Sequence, residues 1–151
     1  FTPDALEHAY ARAFRALGHR VVSFDVAREG RMPWLRNRVI HRLTCNHFGL
    51  RRGLSRSFNA HLLATVQREK PDLLLAFRGD FLMPETARRV RATGCRLVVF
   101  TPDSLFPPAP SARPEHLRAA READVYLIWS VALAERLREL GVNARFFPFG
   151  W

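Results

Sequence analysis

Two short apolar runs, with one helical pattern between them, constrain the fold of this chain most strongly. Residues 72–77 and 96–100 are nearly continuous apolar segments. Residues 84–93 open on a proline and space their apolar side chains as a helix does. A strand that is apolar on both sides is typical of a parallel sheet with helices over both of its faces. The pattern therefore predicts a β–α–β unit with two parallel strands.

Helix and strand alternate along the rest of the chain. Helices are predicted over residues 3–17, 57–69, 114–122 and 130–140, and strands over residues 21–26, 124–129 and 145–149. This alternation predicts an α/β fold, a Rossmann-like doubly wound parallel sheet of about five strands. A strand normally precedes the first helix of such a sheet, so we expect the domain's first strand to be missing from this chain.

Positive charge is concentrated in one part of the chain. The formal net charge is +10, and 23 of the 24 basic residues are arginine. Residues 28–56, the Arg-rich segment, carry eight arginines against one acid, Glu29. Excess positive charge favours an anionic partner, such as a membrane surface, a phosphorylated ligand or nucleic acid; a solvated cationic loop is the alternative. Five arginines are candidates for such a contact: Arg36, Arg38, Arg42, Arg51 and Arg52.

Several functional classes find no support in the sequence. No apolar run approaches the roughly 18–20 residues that span a bilayer, and the first residues do not resemble a signal peptide. Two cysteines cannot form a disulfide framework, so we expect a cytoplasmic protein. The glycine-rich motifs of dinucleotide and P-loop sites and the serine motif of α/β-hydrolases are absent. His41, Cys45 and His47 lack a fourth ligand, so no metal site is predicted.

Polar side chains follow both apolar runs of the β–α–β unit. The first run is followed by Arg78, Gly79 and Asp80, and the second by Thr101, Pro102, Asp103 and Ser104. Ligands bind at the carboxyl ends of the strands in open α/β sheets, so we expect these residues to face one cleft. Asp103 could accept a hydrogen bond from a sugar hydroxyl or act as a general base. Ordinary turns are the alternative for both segments, and a helix cap is the alternative for Ser130.

Six segments occur in an order that resembles a known family. They are KPDLLLAF at 70–77, PET at 84–86, VVFTPD at 98–103, ADVYLIW at 123–129, AERLRELGV at 134–142 and FPFGW at 147–151. Their order and spacing are similar to those of the N-terminal half of GT-B glycosyltransferases, and most similar to the CgeB-like (spore-maturation type) group. The resemblance implies that residues 1–151 form one N-terminal, acceptor-side domain, with the Arg-rich segment as an insert.

The resemblance also implies a mechanism for the complete, two-domain enzyme. A C-terminal domain, absent from this chain, would bind a nucleotide-sugar as co-substrate, with no metal or other cofactor. Asp103 would deprotonate the acceptor hydroxyl, and Asp80 is the second candidate for that role. The residues expected to contact substrate are Arg78, Gly79, Thr101, Ser104, Ser130 and Arg145. Ser104 stands where this group often carries a second acid.

A non-enzymatic function is the competing expectation. A Rossmann-like domain can serve as a binding module without catalysis. Its cationic surface would then contact an anionic partner, either a membrane from its cytoplasmic side or nucleic acid. Under the glycosyltransferase interpretation, the present chain is expected to be inactive by itself, because it carries no donor site.

Overall fold

The computed structural model describes residues 6–24, 48–109 and 112–148. The chain divides into two compact units, Phe1–Phe58 and Asn59–Trp151. Helix α1 (Leu6–Ala16) lies in the first unit, and helix α2 (Phe48–Glu69) begins there and ends in the second. The second unit continues with β1 (Leu73–Phe77), α3 (Pro84–Ala92), β2 (Arg96–Thr101), α4 (Pro114–Arg121), β3 (Val125–Ile128), α5 (Val131–Glu139) and β4 (Ala144–Phe146).

Four parallel strands form the sheet of the second unit, in the order β1-β2-β3-β4. Leu75 pairs with Val98, Val98 pairs with Val125, and Leu127 pairs with Arg145. Helices flank the sheet, so the predicted Rossmann-like α/β fold is confirmed. The parallel β–α–β unit is β1-α3-β2, with strand limits within about one residue of the predicted ones because apolar runs bounded by proline and glycine are local signals.

One part of the core lies between the sheet and helices α3 to α5. Consecutive right-handed crossovers that progress in one direction across a sheet place their helices over the same face. Accordingly α3 contacts β2 and α4, while α5 contacts β3 and β4. Leu97, Ile128 and Leu137 are 0% exposed in this layer, and burying each such side chain stabilises the fold by about 1.5–3 kcal/mol.

The opposite face of the sheet is less completely covered within the described residues. Leu73 is 45% exposed, and Val98 and Val125 are partly exposed. Near the carboxyl ends of the strands, this face carries a row of aromatic rings. The Phe100 ring packs edge-on against Phe77 and Phe147, with centroid distances of 5.9 and 5.8 Å.

Local sequence signals define the helix ends in the second unit. Pro84 and Pro114 occupy the first positions of α3 and α4, where a missing amide hydrogen costs nothing. Ser130 caps α5, because its side-chain oxygen accepts a hydrogen bond from the Leu133 amide at 3.4 Å. Gly94 follows α3 with a φ of +86°, a left-handed conformation that favours glycine.

The first unit differs from the prediction in two respects. Helix α2 begins at residue 48, whereas the sequence predicted this helix from residue 57. The second difference concerns a strand. Residues 21–26 were predicted to form a strand, but residues 19–24 are not in regular secondary structure, and residues 25 and 26 lie outside the described residues. A strand needs a hydrogen-bonded neighbour, and the described part of this unit contains only helices beside that segment. Arg15 instead donates hydrogen bonds to the Val21 carbonyl and the Ser23 hydroxyl, both at 3.4 Å.

No helix that the structure describes combines the length and the apolar character needed to cross a membrane.

Candidate functional site

The turn that follows β1 has an uncommon backbone conformation. Arg78 has a φ of +68°, a left-handed value that non-glycine residues rarely adopt. Its amide donates to the Phe100 carbonyl at 2.7 Å, and the Gly79 amide donates to the Phe77 carbonyl at 2.9 Å, closing a tight three-residue turn. Such conformations persist only where surrounding structure holds them, and they cluster at functional sites.

Gly79 is required in this turn for two reasons. Its φ of +69° is again left-handed, so any side chain would be strained there. A Cβ atom at this position would also lie 3.2 Å from Cγ1 of Val99, a buried residue of the neighbouring strand. The close approach of this turn to β2 therefore depends on glycine.

Arg78 joins two carboxylates from neighbouring strand ends. Its Nε lies 3.2 Å from Oδ2 of Asp80, and its Nη2 lies 2.9 Å from Oδ2 of Asp103. One guanidinium between two carboxylates leaves this cluster with a formal charge of −1. The three side chains are 52%, 29% and 40% exposed, respectively, so a ligand could reach all of them from solvent. We refer to Arg78, Asp80 and Asp103 as the carboxylate–arginine cluster.

The loop after β2 is held in place around Asp103. The buried Thr101 side chain accepts a hydrogen bond from the Asp103 amide at 3.4 Å, and the Ser104 hydroxyl accepts one from the Phe106 amide at 3.1 Å. Phe106 is 9% exposed, and the guanidinium of Arg136 lies 4.0 Å from the centroid of its ring. A cation above an aromatic face is attracted to it, so this contact ties the loop to α5.

Tyr126 lies in the core beneath this edge of the sheet. It is 2% exposed, and its hydroxyl is hydrogen-bonded to the side chain of Thr101. Burial raises the pKa of Tyr126, and the negative charges of Asp80 and Asp103 act in the same direction, while the Thr101 hydrogen bond opposes them. The phenol is therefore uncharged at neutral pH and serves as a core group of this edge.

His116 is a site residue that the sequence interpretation missed. It lies in the first turn of α4, is 6% exposed, and places its Nε2 atom 2.7 Å from the backbone carbonyl oxygen of Asp80. Its Nδ1 atom lies 4.0 Å from Oδ1 of the same residue. The sequence shows that position 116 falls in a helix, but which neighbour it meets depends on how that helix packs.

Ser130 and Arg145 are not brought to the cluster by any described contact. The Ser130 hydroxyl caps α5, which was the alternative considered for it. Arg145 lies within β4, where it pairs with Leu127 rather than with a residue beyond the end of β3. It lines an open concavity of about 570 Å³ together with Asp72 and Asp124, two residues that precede strands. Arg145 therefore lies near the amino-terminal ends of the strands, away from the cluster.

The predicted anionic contact falls largely outside the described residues. Arg36, Arg38 and Arg42 lie outside them altogether. Arg51 and Arg52 belong to α2, but their side chains also lie outside the described part of the chain. Among the described residues, no group of three or more histidine, cysteine or acidic side chains is arranged to hold a metal ion.

No protein-family model, no curated protein and no solved structure matches this chain. A functional proposal therefore depends on the carboxylate–arginine cluster, on its place in the parallel sheet, and on the resemblance in the order of the motifs.

Proposed function

We propose that this chain is the acceptor-side domain of a glycosyltransferase, which transfers a sugar from a nucleotide-sugar to an acceptor hydroxyl. The carboxylate–arginine cluster carries the proposal, because it places two carboxylates and a guanidinium at the carboxyl ends of neighbouring parallel strands. Carboxylates accept hydrogen bonds from sugar hydroxyls, and a guanidinium donates to hydroxyl or phosphate oxygens. The resemblance to GT-B glycosyltransferases supports the same assignment.

Asp103 is the proposed general base. Arg78 engages its Oδ2 atom, so an acceptor hydroxyl would approach through Oδ1. In the transfer step the hydroxyl proton passes to Asp103, and the acceptor oxygen forms a bond to the anomeric carbon of the donor sugar. The bond from that carbon to the phosphate oxygen breaks, and the nucleotide leaves with the electron pair. The donor would be held by a second domain of the complete protein.

The other residues of this edge have supporting roles in the proposal. Asp80 contacts Nε of Arg78 while Asp103 contacts Nη2, and the two contacts together orient the guanidinium. Thr101 and Ser104 orient the backbone of the loop that carries Asp103, through their hydrogen bonds to the amides of Asp103 and Phe106. In this proposal the complete protein acts in the cytoplasm, and the Arg-rich segment contacts an anionic membrane or acceptor.

The proposal is tested with the full-length protein and a panel of nucleotide-sugars. Calorimetry measures donor binding, and release of free nucleotide measures turnover. We expect Asp103→Asn to lower turnover by about 100-fold or more while donor binding is unchanged, since general-base catalysis is worth roughly that much. Asp72→Asn is the matched control, because this carboxylate precedes β1 at the opposite edge of the sheet.

Each outcome of this experiment has a definite meaning. If a folded protein binds none of the nucleotide-sugars, the glycosyltransferase proposal is wrong, and an interaction module with a cationic surface becomes the better interpretation. If nucleotide is released equally fast by Asp103→Asn and the unmodified protein, the transferase assignment stands but Asp103 is not its base.

A further inference from the structure

The protonation of the His116 ring follows from its contact with Asp80. A backbone carbonyl oxygen can only accept a hydrogen bond, so the 2.7 Å contact requires the proton to be on Nε2 of His116. In the neutral ring Nδ1 then carries the lone pair. The Nδ1 atom is 4.0 Å from Oδ1 of Asp80, which is too far for a hydrogen bond. The short contact between His116 and Asp80 is therefore the one to the backbone carbonyl.

This contact anchors a turn that is strained. Arg78 keeps its left-handed φ of +68° only if its surroundings hold the turn on both sides. On the strand side, the Arg78 amide is bonded to the Phe100 carbonyl. At the other end of the turn, the Asp80 carbonyl is hydrogen-bonded to His116, a residue that is 6% exposed. This hydrogen bond is part-buried, which reduces competition from water, so it restricts where the turn can move.

The contact also adds a third element to the site. Arg78 after β1 is paired with Asp103 after β2, and His116 of α4 is bonded to Asp80. Asp80 is thus held at its backbone by His116 and at its carboxylate by Arg78. A shift of the Asp80 backbone would move its carboxylate and change the pairing of Arg78 with Asp103.

We propose that His116 is the positioning residue of the carboxylate–arginine cluster. Its Nε2–H group fixes the Asp80 carbonyl and thereby sets the geometry in which Arg78 meets both carboxylates. The inference deepens the proposed function, since it concerns the same site, but its structural content can be tested without any substrate.

The position of the proton on the His116 imidazole provides the first test. Long-range ¹H–¹⁵N spectra of the ¹⁵N-labelled protein distinguish the two neutral tautomers of a histidine, and His116 is assigned by the signal that His116→Gln removes. We expect the proton on Nε2. A neutral ring with its proton on Nδ1 would overturn the proposal, because such a ring cannot donate to the Asp80 carbonyl.

The second test follows the Arg78 side chain. Its Nε–H signal, assigned by its loss in Arg78→Lys, reports directly on the ion pair with Asp80 and, through the shared guanidinium, on the pair of Nη2 with Asp103. We expect His116→Leu to move this signal toward that of a free arginine, and His116→Gln to restore it, because the glutamine Nε2 amide can reach the same carbonyl. If His116→Leu does not fold, His116→Asn is used as the test variant. The asparagine amide is shorter and occupies the position of Nδ1, so it does not reach the Asp80 carbonyl.

A matched variant separates positioning from a general loss of stability. Asn59 is also buried, but its hydrogen bonds are to residues that follow Asp80 in the chain. Its side-chain amide donates to the Phe81 carbonyl at 2.6 Å, and its side-chain oxygen accepts from the Met83 amide at 2.9 Å. We expect Asn59→Ala to lower the melting temperature and to leave the Arg78 signal in place. An unchanged Arg78 signal in His116→Leu, or in His116→Asn where that replaces it, would overturn the proposal, as would an equal change in Asn59→Ala.

Turnover provides the functional readout. In the full-length protein, we expect His116→Leu to lower kcat by about tenfold at an unchanged KM for the donor, since misplacing a reacting group by a fraction of an ångström has effects of this order. The spectra are recorded without nucleotide-sugar. Lack of turnover in the unmodified protein would therefore count against the proposed function alone, whereas wrong spectra would count against the positioning role alone.

Discussion

Gly79→Ala separates the two physical reasons for glycine in the turn after β1. One reason is the left-handed φ of +69°, and the other is the 3.2 Å distance between a Cβ atom and Cγ1 of Val99. Gly94→Ala is the matched comparison, because Gly94 has a similar φ of +86° but nothing within 4 Å of its Cβ position. The two substitutions therefore share the backbone effect and differ in the steric one.

The expected magnitudes differ accordingly. A left-handed conformation costs an alanine about 1–2 kcal/mol. The smaller conformational freedom of the unfolded alanine chain offsets about 0.4–1 kcal/mol of this, so Gly94→Ala should lower the free energy of unfolding by about 1 kcal/mol. Gly79→Ala adds a steric conflict with a buried side chain, typically about 1–3 kcal/mol, for a total of about 2–4 kcal/mol.

Urea unfolding followed by circular dichroism measures both variants. The double variant Gly79→Ala/Val99→Ala completes a mutant cycle, because removing Cγ1 of Val99 should relieve part of the conflict and make the double change less costly than the sum of the single ones. Equal destabilisation by Gly79→Ala and Gly94→Ala, with no coupling to Val99, would show that the close packing has no energetic consequence. A neutral Gly94→Ala would refute the argument from φ.

Two further predictions follow from buried titratable groups. Burial raises the pKa of Tyr126, so its contribution to stability is full below pH 10, the ordinary tyrosine pKa, and is lost as pH rises above it. Urea unfolding between pH 9 and 11 should show stability falling more steeply, by up to about 1.4 kcal/mol per pH unit, in the unmodified protein than in Tyr126→Phe; parallel curves would contradict this. Burial likewise raises the pKa of the Cys95 thiol, which is 3% exposed, so iodoacetamide should label Cys95 slowly at neutral pH and rapidly in guanidinium. Site-resolved mass spectrometry checks this, and rapid labelling of the native protein would be the contrary result.

The strands of the second unit could be predicted because their signals are local. The apolar runs at residues 72–77, 96–100 and 124–129 correspond to β1, β2 and β3. Each run is short, is rich in branched or aromatic side chains, and ends at a turn signal, so little tertiary information is needed to recognise it. Residues 21–26 show a similar local pattern, yet residues 19–24 are not a strand. A strand needs a partner, and the segment itself cannot provide one.

The candidate site was predictable in part for a topological reason. In a parallel β–α–β unit both strands end at the same edge, so the sequence places Arg78, Asp80 and Asp103 together before any side-chain position is known. The ion pairs of Arg78 could not be predicted, because they depend on the left-handed turn at that residue. Arg145 was grouped with the same site, but strand register places it in the concavity near Asp72.

The sequence by itself determined the class of the fold, the succession of strands and helices in the second unit, and the edge of the sheet at which acidic and basic side chains lie together. These depend on hydrophobic periodicity and on proline and glycine positions, which act over a few residues. Only the tertiary structure decided that one guanidinium joins Asp80 to Asp103 and that His116 holds the Asp80 carbonyl. Those contacts join residues far apart in the chain, and their distances follow from the packing of α4 and the path of a strained turn. No local pattern encodes either of these.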